Sequence, residues 1–431
     1  MLQNSVKIDL PQYPEINGLP GDLPTEAMEW PSSEITPVAS IIKRSSRLSP
    51  WQWPSSPVFF VADPHADAEA FIASLVASGG VRKTGDQPHH FELTAEGRRS
   101  TFIIGGDCLD KGPSNLRLLR SIRRLMDTGA RVILLAGNHD LRLLMGIRAL
   151  GLPRDPTTEH LFLRMGPKAV PLLREVFEHY LSASSLEGVP SLDECRDRLY
   201  PSAEWFTVFP QVAADVISAK AMTKELKRMR KKMTCFEDAC AEAGMDLRQV
   251  FATAMKCRKL FLEPQGEFAW FFDSMQLIHR EGSFLFVHAG LDDRFATLLA
   301  EHNEAYLNAL YRDMIQSDLF GFYYGPLANT MRTKYRDVDM PLTCRGVEIA
   351  SRQGLHAVVH GHRNRTSGQC IALRQGMIHI EGDITLDRNS RRKEGLRGFG
   401  MGVTIIRPEG RVIGISNDFP YAKVFEPQRY L

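Results

Sequence analysis

Acidic and histidine residues with spacings suited to metal binding follow several short apolar runs of the sequence. The run PVFFVA precedes Asp63, and His65 lies two residues further on. In an extended chain this spacing places both side chains on the same side, which suits two ligands on one metal ion. The run TFIIGG precedes Asp107, with Asp110 three residues later. A carboxylate such as Asp107 has two oxygens with which to bridge two cations, and such bridging brings cations to about 4 Å.

Three further runs are followed by nitrogen or amide ligands. RVILLAG precedes Asn138 and His139, FLFV precedes His288, and HAVVHG precedes His362. The amide oxygen of Asn138 is a hard ligand, and imidazoles are favoured by Zn, Fe or Mn. Each fragment is weak evidence alone. The ordered combination of D-x-H, GDxxD and GNHD has a negligible chance frequency, and chance does not require an apolar run before each one.

The elements that position these groups can be read from the apolar runs. The runs are short and end in polar residues, which is typical of buried β-strands. Helical patterns such as NLRLLRSIRRLMDTGA fill the gaps between them. Alternation of strand and helix predicts an α/β sheet with crossover helices. Because ligands bind beyond the carboxyl ends of the strands in such sheets, we expect the candidate groups to meet at one edge.

The chain divides into three kinds of segment by pattern. Residues 1–57 are rich in Pro and Ser and predict an irregular leader. Residues 58–140 and 286–431 carry the strand signals and form the predicted catalytic core, which closes with a hairpin in MGVTIIRPEGRVIGISN. Residues 141–285 show helical patterns instead, and we interpret them as a helical insertion that caps the site.

Bulk composition excludes some classes of protein. Lys plus Arg total 53 and Asp plus Glu total 51, so the net charge of +2 gives no global electrostatic reason to expect nucleic acid or membrane partners. The sequence shows neither a signal-peptide pattern at its start nor an apolar run of about 18 residues, so we expect a cytoplasmic protein without membrane spans. The seven cysteines form no CxxC pair and predict reduced thiols.

The combination of motifs resembles the calcineurin-like metallophosphoesterase superfamily, whose pattern is D-x-H, GDxxD, GNH[DE], a lone His and a GH pair. The resemblance spans Val58 to Asp140 and Phe284 to Asp383. GDCLDKGP is similar to a run of the serine/threonine phosphoprotein phosphatases and the bacterial diadenosine tetraphosphatases. The resemblance implies an α/β fold with a four-layer αββα core of two packed mixed sheets flanked by helices. It also implies hydrolysis of phosphate esters with two divalent or trivalent metal ions, Mn, Fe or Zn.

The resemblance further implies a role for each residue. Asp107 bridges the two ions, and a hydroxide shared by them is the nucleophile. His139 is the general acid, and Asp110 hydrogen-bonds His139 and keeps it protonated, so that it can protonate the departing alkoxide. The other implied ligands are Asp63 and His65 for the first ion and Asn138, His288 and His362 for the second.

Two positions depart from the pattern. Asn364 replaces the last His of the GHxH motif of many diesterases, which leaves a water position on the first ion and favours the phosphoprotein phosphatase-like branch. Lys111 stands where an Arg is usual, so the charge is kept but the bidentate fork for phosphate oxygens is lost. We therefore expect an arginine elsewhere to clamp phosphate. Of the candidates Arg332 and Arg336, we prefer Arg332.

Three functions remain open at this point. The first is a phosphatase acting on a phosphoprotein, a nucleotide or a small phosphoester, and the second is a hydrolase of dinucleoside polyphosphates or nucleotides. The third is an inactive phosphatase fold used as a binding module, which is disfavoured because none of the implied ligand positions is lost.

Two basic segments also bear on the substrate. The run KELKRMRKK, residues 224–232, is interpreted as the solvated face of a cap helix, with an acidic substrate or nucleic acid as the alternative. The loop after Asp383 follows a strand end, so we expect Arg388, Arg391 and Arg392 to touch the substrate.

Overall fold

The computed structural model describes residues 25–27, 38–87, 89–181 and 186–430. Most of the strands within these ranges belong to two large sheets. The strands are β1 (Thr25–Ala27), β2 (Val58–Val61), β3 (Val81–Lys83), β4 (Phe91–Leu93), β5 (Thr101–Ile104), β6 (Arg131–Leu135), β7 (Met275–Gln276), β8 (Ile278–Glu281), β9 (Phe284–Val287), β10 (Ala357–His360), β11 (Cys370–Arg374), β12 (Met377–Glu381), β13 (Gly402–Arg407), β14 (Arg411–Ser416) and β15 (Ala422–Phe425).

The first sheet has the order β1-β15-β14-β13-β2-β5-β6-β7, and the second has the order β11-β12-β10-β9-β8. Strands β2, β5, β6 and β7 run parallel to one another. In the second sheet β10 is parallel to both β9 and β12. Strands β13 and β14 form the predicted hairpin, in which Arg407 pairs with Arg411. Both sheets are therefore mixed; the parallel strands form one half of the first sheet and the centre of the second.

The four residues of β2, β5, β9 and β10 are all buried, as expected when both faces of a sheet are covered. Val58 and Phe60 of β2 pack in a cluster with Phe284 and Phe286 of β9, between the two sheets. The rings of Phe60 and Phe286 have centroids 5.9 Å apart across this layer. Phe59 points to the other face, where it packs with helical residues. Each fully buried Phe contributes roughly 1.5–3 kcal/mol to folding.

Helices cover the outer faces of the sheets, and several of them lie between β6 and β7 in the sequence. The fold class predicted from the sequence, α/β with two packed mixed sheets flanked by helices, is confirmed. The α-helices are α1 (Val38–Leu48), α2 (Ala68–Ala77), α3 (Ala95–Arg99), α4 (Asn115–Asp127), α5 (Asn138–Ala149), α6 (Leu161–Arg164), α7 (Val170–Tyr180), α8 (Leu192–Leu199), α9 (Trp205–Val212), α10 (Ala219–Glu242), α11 (Leu247–Leu262), α12 (Ala269–Asp273), α13 (Asp293–Glu301), α14 (Glu304–Ser317), α15 (Leu319–Tyr324), α16 (Cys344–Arg352) and α17 (Arg388–Lys393). Short 3-10 helices are formed by Gly166–Ala169, Leu327–Met331 and Pro427–Tyr430.

Two details of the segment interpretation are wrong. The leader is not irregular throughout, because α1 is helical and β1 pairs with β15. Its other residues up to 37 lie outside the described residues. The segment 141–285 is not helical to its end either, since β7 joins the first sheet and β8 the second. β7 has only two residues and β8 has the largely polar sequence IHRE, so neither gives an apolar run, and sheet pairing stabilises them. The domain boundaries themselves stay predictions.

None of the helices in the described ranges combines the length and the apolar character needed to cross a membrane.

Candidate metal centre

The carboxyl ends of the parallel strands of both sheets meet at the candidate site. In the first sheet, β2 leads to Asp63 and His65, and β5 leads to Asp107. In the second, β9 leads to His288 and β10 to His362. Because the two sheets pack face to face, residues far apart in sequence converge into one buried cluster.

The first group of converging ligand atoms consists of His65, Asp107 and His139, all within 4.8 Å of one another. Nε2 of His65 and Nε2 of His139 each lie 3.8 Å from Oδ2 of Asp107. The Nδ1 of His65 is hydrogen-bonded to the carbonyl of Leu109 at 3.1 Å. That hydrogen bond orients the ring so that Nε2 faces the group.

The second group consists of Asp107, His288 and His362. Nε2 of His288 lies 3.5 Å from Oδ1 of Asp107 and 3.2 Å from Nδ1 of His362. The amide Oδ1 of Asn138 lies 3.3 Å from the same His288 nitrogen. Nδ1 of His288 contacts the carbonyl of Gly105 at 2.8 Å, which fixes the ring. Asp107 is thus common to both groups, with one oxygen facing each.

Asp63 is placed differently from the other predicted ligands. Its Oδ2 lies 3.9 Å from Nε2 of His65. Both of its oxygens also accept the backbone N–H of His362, at 3.1 and 3.2 Å. Asp63 therefore ties the end of β2 to the loop after β10, in addition to bordering the first group.

The backbone at these motifs is strained. A Cβ on Gly361 would lie 1.9 Å from Oδ1 of Asp63, and one on Gly137 would lie 1.8 Å from the nitrogen of Asp107. These glycines allow the loops to approach more closely than any side chain permits. Left-handed conformations of non-glycine residues cost on the order of 1–3 kcal/mol each and cluster at functional sites. The candidate residues with such positive φ angles are Asp63, His65, Asp107, Asp110, Lys111 and His362.

Burial and mutual repulsion set the pKa values of the carboxylates. Burial raises the pKa of Asp63, and the nearby charge of Asp383 raises it further. Burial likewise raises the pKa of Asp383 to about 6. Burial also acts to raise the pKa of Asp107, but the neighbouring His288 and His139 lower it well below its usual value. Asp107 is therefore the carboxylate of this cluster that stays ionised most readily.

The pKa values of the imidazoles are also shifted, some downward and one upward. Burial, aided by the charge of Lys111, lowers the pKa of His65 to about 3. Burial also lowers the pKa of His362, as does the charge of His288. For His288, burial is outweighed by the charges of Asp107 and Asp63, and its pKa is raised to about 10.

The donor set fits metal ions. Imidazole nitrogens, carboxylate oxygens and one amide oxygen converge in a buried cluster, which is a set that Mn, Fe and Zn accept. Three buried carboxylates repel one another there, as the raised pKa values of Asp63 and Asp383 show. Cations would relieve that repulsion, and one would take the place of the proton on His288.

His139 and Asp110 form the expected contact. Nδ1 of His139 lies 2.8 Å from Oδ2 of Asp110, and both side chains are buried. The directions of the pKa shifts differ from the expectation. Burial lowers the pKa of His139 well below its usual value and raises that of Asp110 to about 8. The contact lets Asp110 orient the ring, and the role of Asp110 in keeping the imidazole protonated stays a prediction.

The predicted phosphate-contacting residues have different surroundings. Nζ of Lys111 lies 2.5 Å from Nε2 of His65, at the centre of the cluster. Arg332 donates to the carbonyl of Tyr323 at 2.6 Å, and its guanidinium lies 5.6 Å from the centroid of the Tyr323 ring. Asn364, which replaces the last family histidine, donates to Glu394 at 2.6 Å.

The expectation that the arginines after Asp383 touch the substrate is wrong for two of them. Arg391 is buried and forms paired hydrogen bonds with Asp418, both at 2.7 Å. Arg388 is bound to Asp67 at 2.8 Å and also pairs with Glu69. A strand end places its loop near a site but does not decide where each side chain points.

Sequence reasoning missed several residues of the site. Asp140 accepts the backbone N–H groups of Cys108 and Leu109, at 3.2 and 3.0 Å, and so holds the loop after Asp107. Asp383 could have been found, because it follows the apolar run MIHIE as Asp107 follows TFII. Arg142 carries no comparable signal, yet its charge lowers the pKa values of His139 and His362.

Comparison with known families decides the assignment. Residues 56–225 match the family model described as calcineurin-like phosphoesterase. This part of the chain is a calcineurin-like phosphoesterase domain. The resemblance inferred from the motifs is thereby confirmed at the level of the family, and the domain supports hydrolysis of phosphate esters. The family is metal-dependent, in agreement with the donor set of the site.

Solved structures show more distant likeness. A cold-active protein-tyrosine phosphatase from a psychrophilic Shewanella is 14% identical, with a TM-score of 0.41 over 86% of this chain and 80% of that chain. A protein serine/threonine phosphatase from Saccharomyces cerevisiae is 13% identical, with a TM-score of 0.37 over 90% of this chain and 88% of that chain. Such values describe a partial likeness of the backbone and assign no substrate. No curated protein matches the sequence.

Proposed function

We propose that this protein hydrolyses phosphate monoesters with two metal ions that share Asp107. The main observation in support of this proposal is the position of Asp107. Its Oδ2 faces His65 and its Oδ1 faces His288, at 3.8 and 3.5 Å, so that one carboxylate serves two groups of ligand atoms. The proposed ligands are Asp63, His65 and Asp107 for the first ion and Asp107, Asn138, His288 and His362 for the second.

When bound, two such cations would lower the pKa of a water molecule and withdraw charge from the phosphate oxygens. The chain's own contribution is position and exclusion of bulk water. The ligand side chains are buried, and the strained loops hold them before substrate arrives. Such preorganisation avoids the cost of reorienting polar groups during the reaction.

His139 is the proposed general acid. Asp110 occupies Nδ1, so Nε2 is the ring nitrogen that faces the cluster, 3.8 Å from Asp107. A proton at Nε2 can be delivered to the leaving oxygen of an ester bound there. Asp110 acts through His139 and is therefore a positioning residue.

Lys111 and Arg332 are the proposed phosphate contacts. Lys111 lies against His65 in the cluster, where an incoming phosphate offers a better partner for its ammonium group than a neutral imidazole does. Arg332 follows Thr330, whose carbonyl accepts the N–H groups of the two residues after His288. That link supports the assignment of Arg332, although its present partner is Tyr323.

The identity of the ester is a separate part of the proposal. A serine/threonine phosphatase-like activity agrees with the motif GDCLDKGP. A substrate with several phosphoryl groups, such as a dinucleoside polyphosphate, is the second candidate, and a cluster of cations beside the site favours it, as argued below. An inactive binding module is disfavoured because every proposed ligand and the proposed acid are present together in one cluster.

The experiment combines elemental analysis with kinetics. We expect two equivalents of Mn, Fe or Zn per chain after reconstitution, and release of phosphate from p-nitrophenyl phosphate. Asp107→Asn and His139→Ala should each lower kcat/KM by at least about 100-fold, the scale expected for losing a metal ligand or a general acid. The exposed residues Asp86 and His89 provide matched controls, Asp86→Asn and His89→Ala, which should change neither value. A chain that cannot be loaded with metal, or an Asp107→Asn variant with full activity, would refute the proposal.

A further inference from the structure

One lysine of the basic run in α10 is oriented unlike its neighbours. Lys224, Lys227 and Lys231 are exposed, in agreement with a solvated helix face. Lys232 instead turns inward, and its Nζ donates to the carbonyl of Arg164. The same Nζ would lie 3.3 Å from a Cβ placed on Gly166, in the 3-10 helix Gly166–Ala169. The end of the basic run therefore packs against the turn that follows α6.

Two further cations lie beside Lys232, and we call Arg142, Lys168 and Lys232 the insertion cationic cluster. Lys168 belongs to the same 3-10 helix, and Arg142 belongs to α5. Burial, aided by the charges of Arg142 and Arg164, lowers the pKa of Lys232 to about 6. Burial also lowers the pKa of Lys168, together with the charges of Lys111 and Arg142. Helix α10 packs on this 3-10 helix and on α6, and α6 packs on α5, so the three residues lie on neighbouring elements.

The cluster borders the candidate metal centre. Arg142 follows Asn138 by four residues and His139 by three on α5, so all three side chains lie on one face of that helix. In agreement with this, the charge of Arg142 acts on Asp110, His139 and His362, and the charges of Asp110 and Asp107 act on Lys168. The cluster therefore begins where the proposed general acid lies, and it extends away from the metal ligands into the helical segment.

The cluster has no carboxylate of its own. Within the described residues, none of its three cations forms an ion pair with an Asp or Glu. Glu225, whose charge acts on Lys232, is already paired with Arg164 and accepts a hydrogen bond from Tyr324 at 3.2 Å. Arg164 also donates to the hydroxyl of Tyr323 at 2.7 Å. Clustered cations with partly lost hydration and no counter-charge are unfavourable unless an anion binds between them.

We infer that the insertion cationic cluster binds a second anionic group of the substrate, a phosphoryl group linked to the one being cleaved. This inference rests on the proposed function, because the metal centre takes the scissile group. The substrate class that follows is a small molecule with two or more linked phosphoryl groups. A peptide with a single phosphorylated side chain would leave the cluster without a partner.

The test uses the full-length, Mn-loaded protein with ATP and with p-nitrophenyl phosphate, at a fixed excess of free metal. Lys168→Gln and Lys232→Gln should each raise KM for ATP about tenfold, since each removes one charge-assisted contact. KM for p-nitrophenyl phosphate should change less than about threefold, because that ester has one phosphoryl group. The exposed lysines of the same helix supply the control. Lys224→Gln and Lys227→Gln remove equal charge and should alter neither KM.

Several outcomes would overturn the inference. The first is an equal rise in KM for both substrates, and the second is an unchanged KM for ATP. The third is a phosphoserine peptide that is cleaved with a higher kcat/KM than ATP and whose cleavage the variants do not affect. If Lys232→Gln unfolds, as thermal denaturation would show, Lys168→Gln decides alone, since Lys168 is exposed. If the Mn-loaded protein cleaves none of the three substrates, the proposed function itself fails. That outcome is distinct from an active enzyme without the expected selectivity.

Discussion

Glu381, at the end of β12, offers a quantitative test of how the site is supported. Its side chain is completely buried and contacts three arginines. Arg374 lies 2.7 Å from Oε1, Arg363 lies 3.5 Å from the same oxygen, and Arg365 pairs with Oε2. Arg365 also donates its backbone N–H to the carbonyl of Asp383 at 2.8 Å. The ion-pair network therefore anchors the loop that carries an acidic residue of the candidate metal centre.

The magnitude follows from the pKa of Glu381. Burial acts to raise it, but the charges of His360 and the three arginines lower it from 4.5 to about 2. At about 1.4 kcal/mol per pKa unit this difference corresponds to about 3 kcal/mol of unfolding free energy. Removing one partner of a buried ion pair costs a similar roughly 3–5 kcal/mol. Because the folded-state pKa is the lower one, the contribution is complete above pH 4.5 and disappears as the pH falls through about 2.

The assay is urea unfolding of Glu381→Gln, followed by circular dichroism. We expect the variant to lose about 3 kcal/mol relative to the unmodified chain at pH 7, and progressively less than that from pH 4.5 downward. The control is Glu348→Gln, which removes an exposed ion pair with Arg352 and should cost less than about 1 kcal/mol. A loss at pH 7 no larger than that of the control, or one that does not shrink in acid, would show that the network does not stabilise the fold.

Two further predictions concern the loop after β10 and a histidine far from the centre. Gly361→Ala places a Cβ 1.9 Å from Oδ1 of Asp63, so we expect a folded chain that retains less than one metal equivalent, and full loading by elemental analysis would contradict this. His279 contacts Glu304 at 2.9 Å and Glu281 at 3.2 Å, and these glutamates outweigh burial and raise its pKa to about 9. Its contribution is therefore complete below pH 6.5 and is lost as the pH rises through about 9. His279→Gln should cost about 3 kcal/mol of unfolding free energy at pH 6 and nothing at pH 10. A cost independent of pH would refute this second prediction.

The sequence alone was enough to locate the ends of the central strands and the metal-binding residue types that follow them. Apolar runs such as VFFV and TFII are local signals, because strand formation and burial leave a mark on consecutive residues. The motifs that follow were visible for the same reason. Asp63, Asp107 and His288 each lie within three residues of a strand end, so a parallel arrangement was enough to predict that they meet.

Only the tertiary structure decided which other side chains reach the site. Arg142 and Lys232 belong to helices, and their sequence context matches that of any exposed cation. Only the packing of α5 and α10 places Arg142 beside the centre and turns Lys232 toward the carbonyl of Arg164. Arg391 looked like a substrate contact, yet Asp418, 27 residues later, pairs with it in the interior. The physical reason is the separation along the chain over which each kind of interaction acts. Periodicity and turn strain act over a few neighbouring residues, whereas ion pairs and helix packing depend on partners that the folded chain brings together from distant positions.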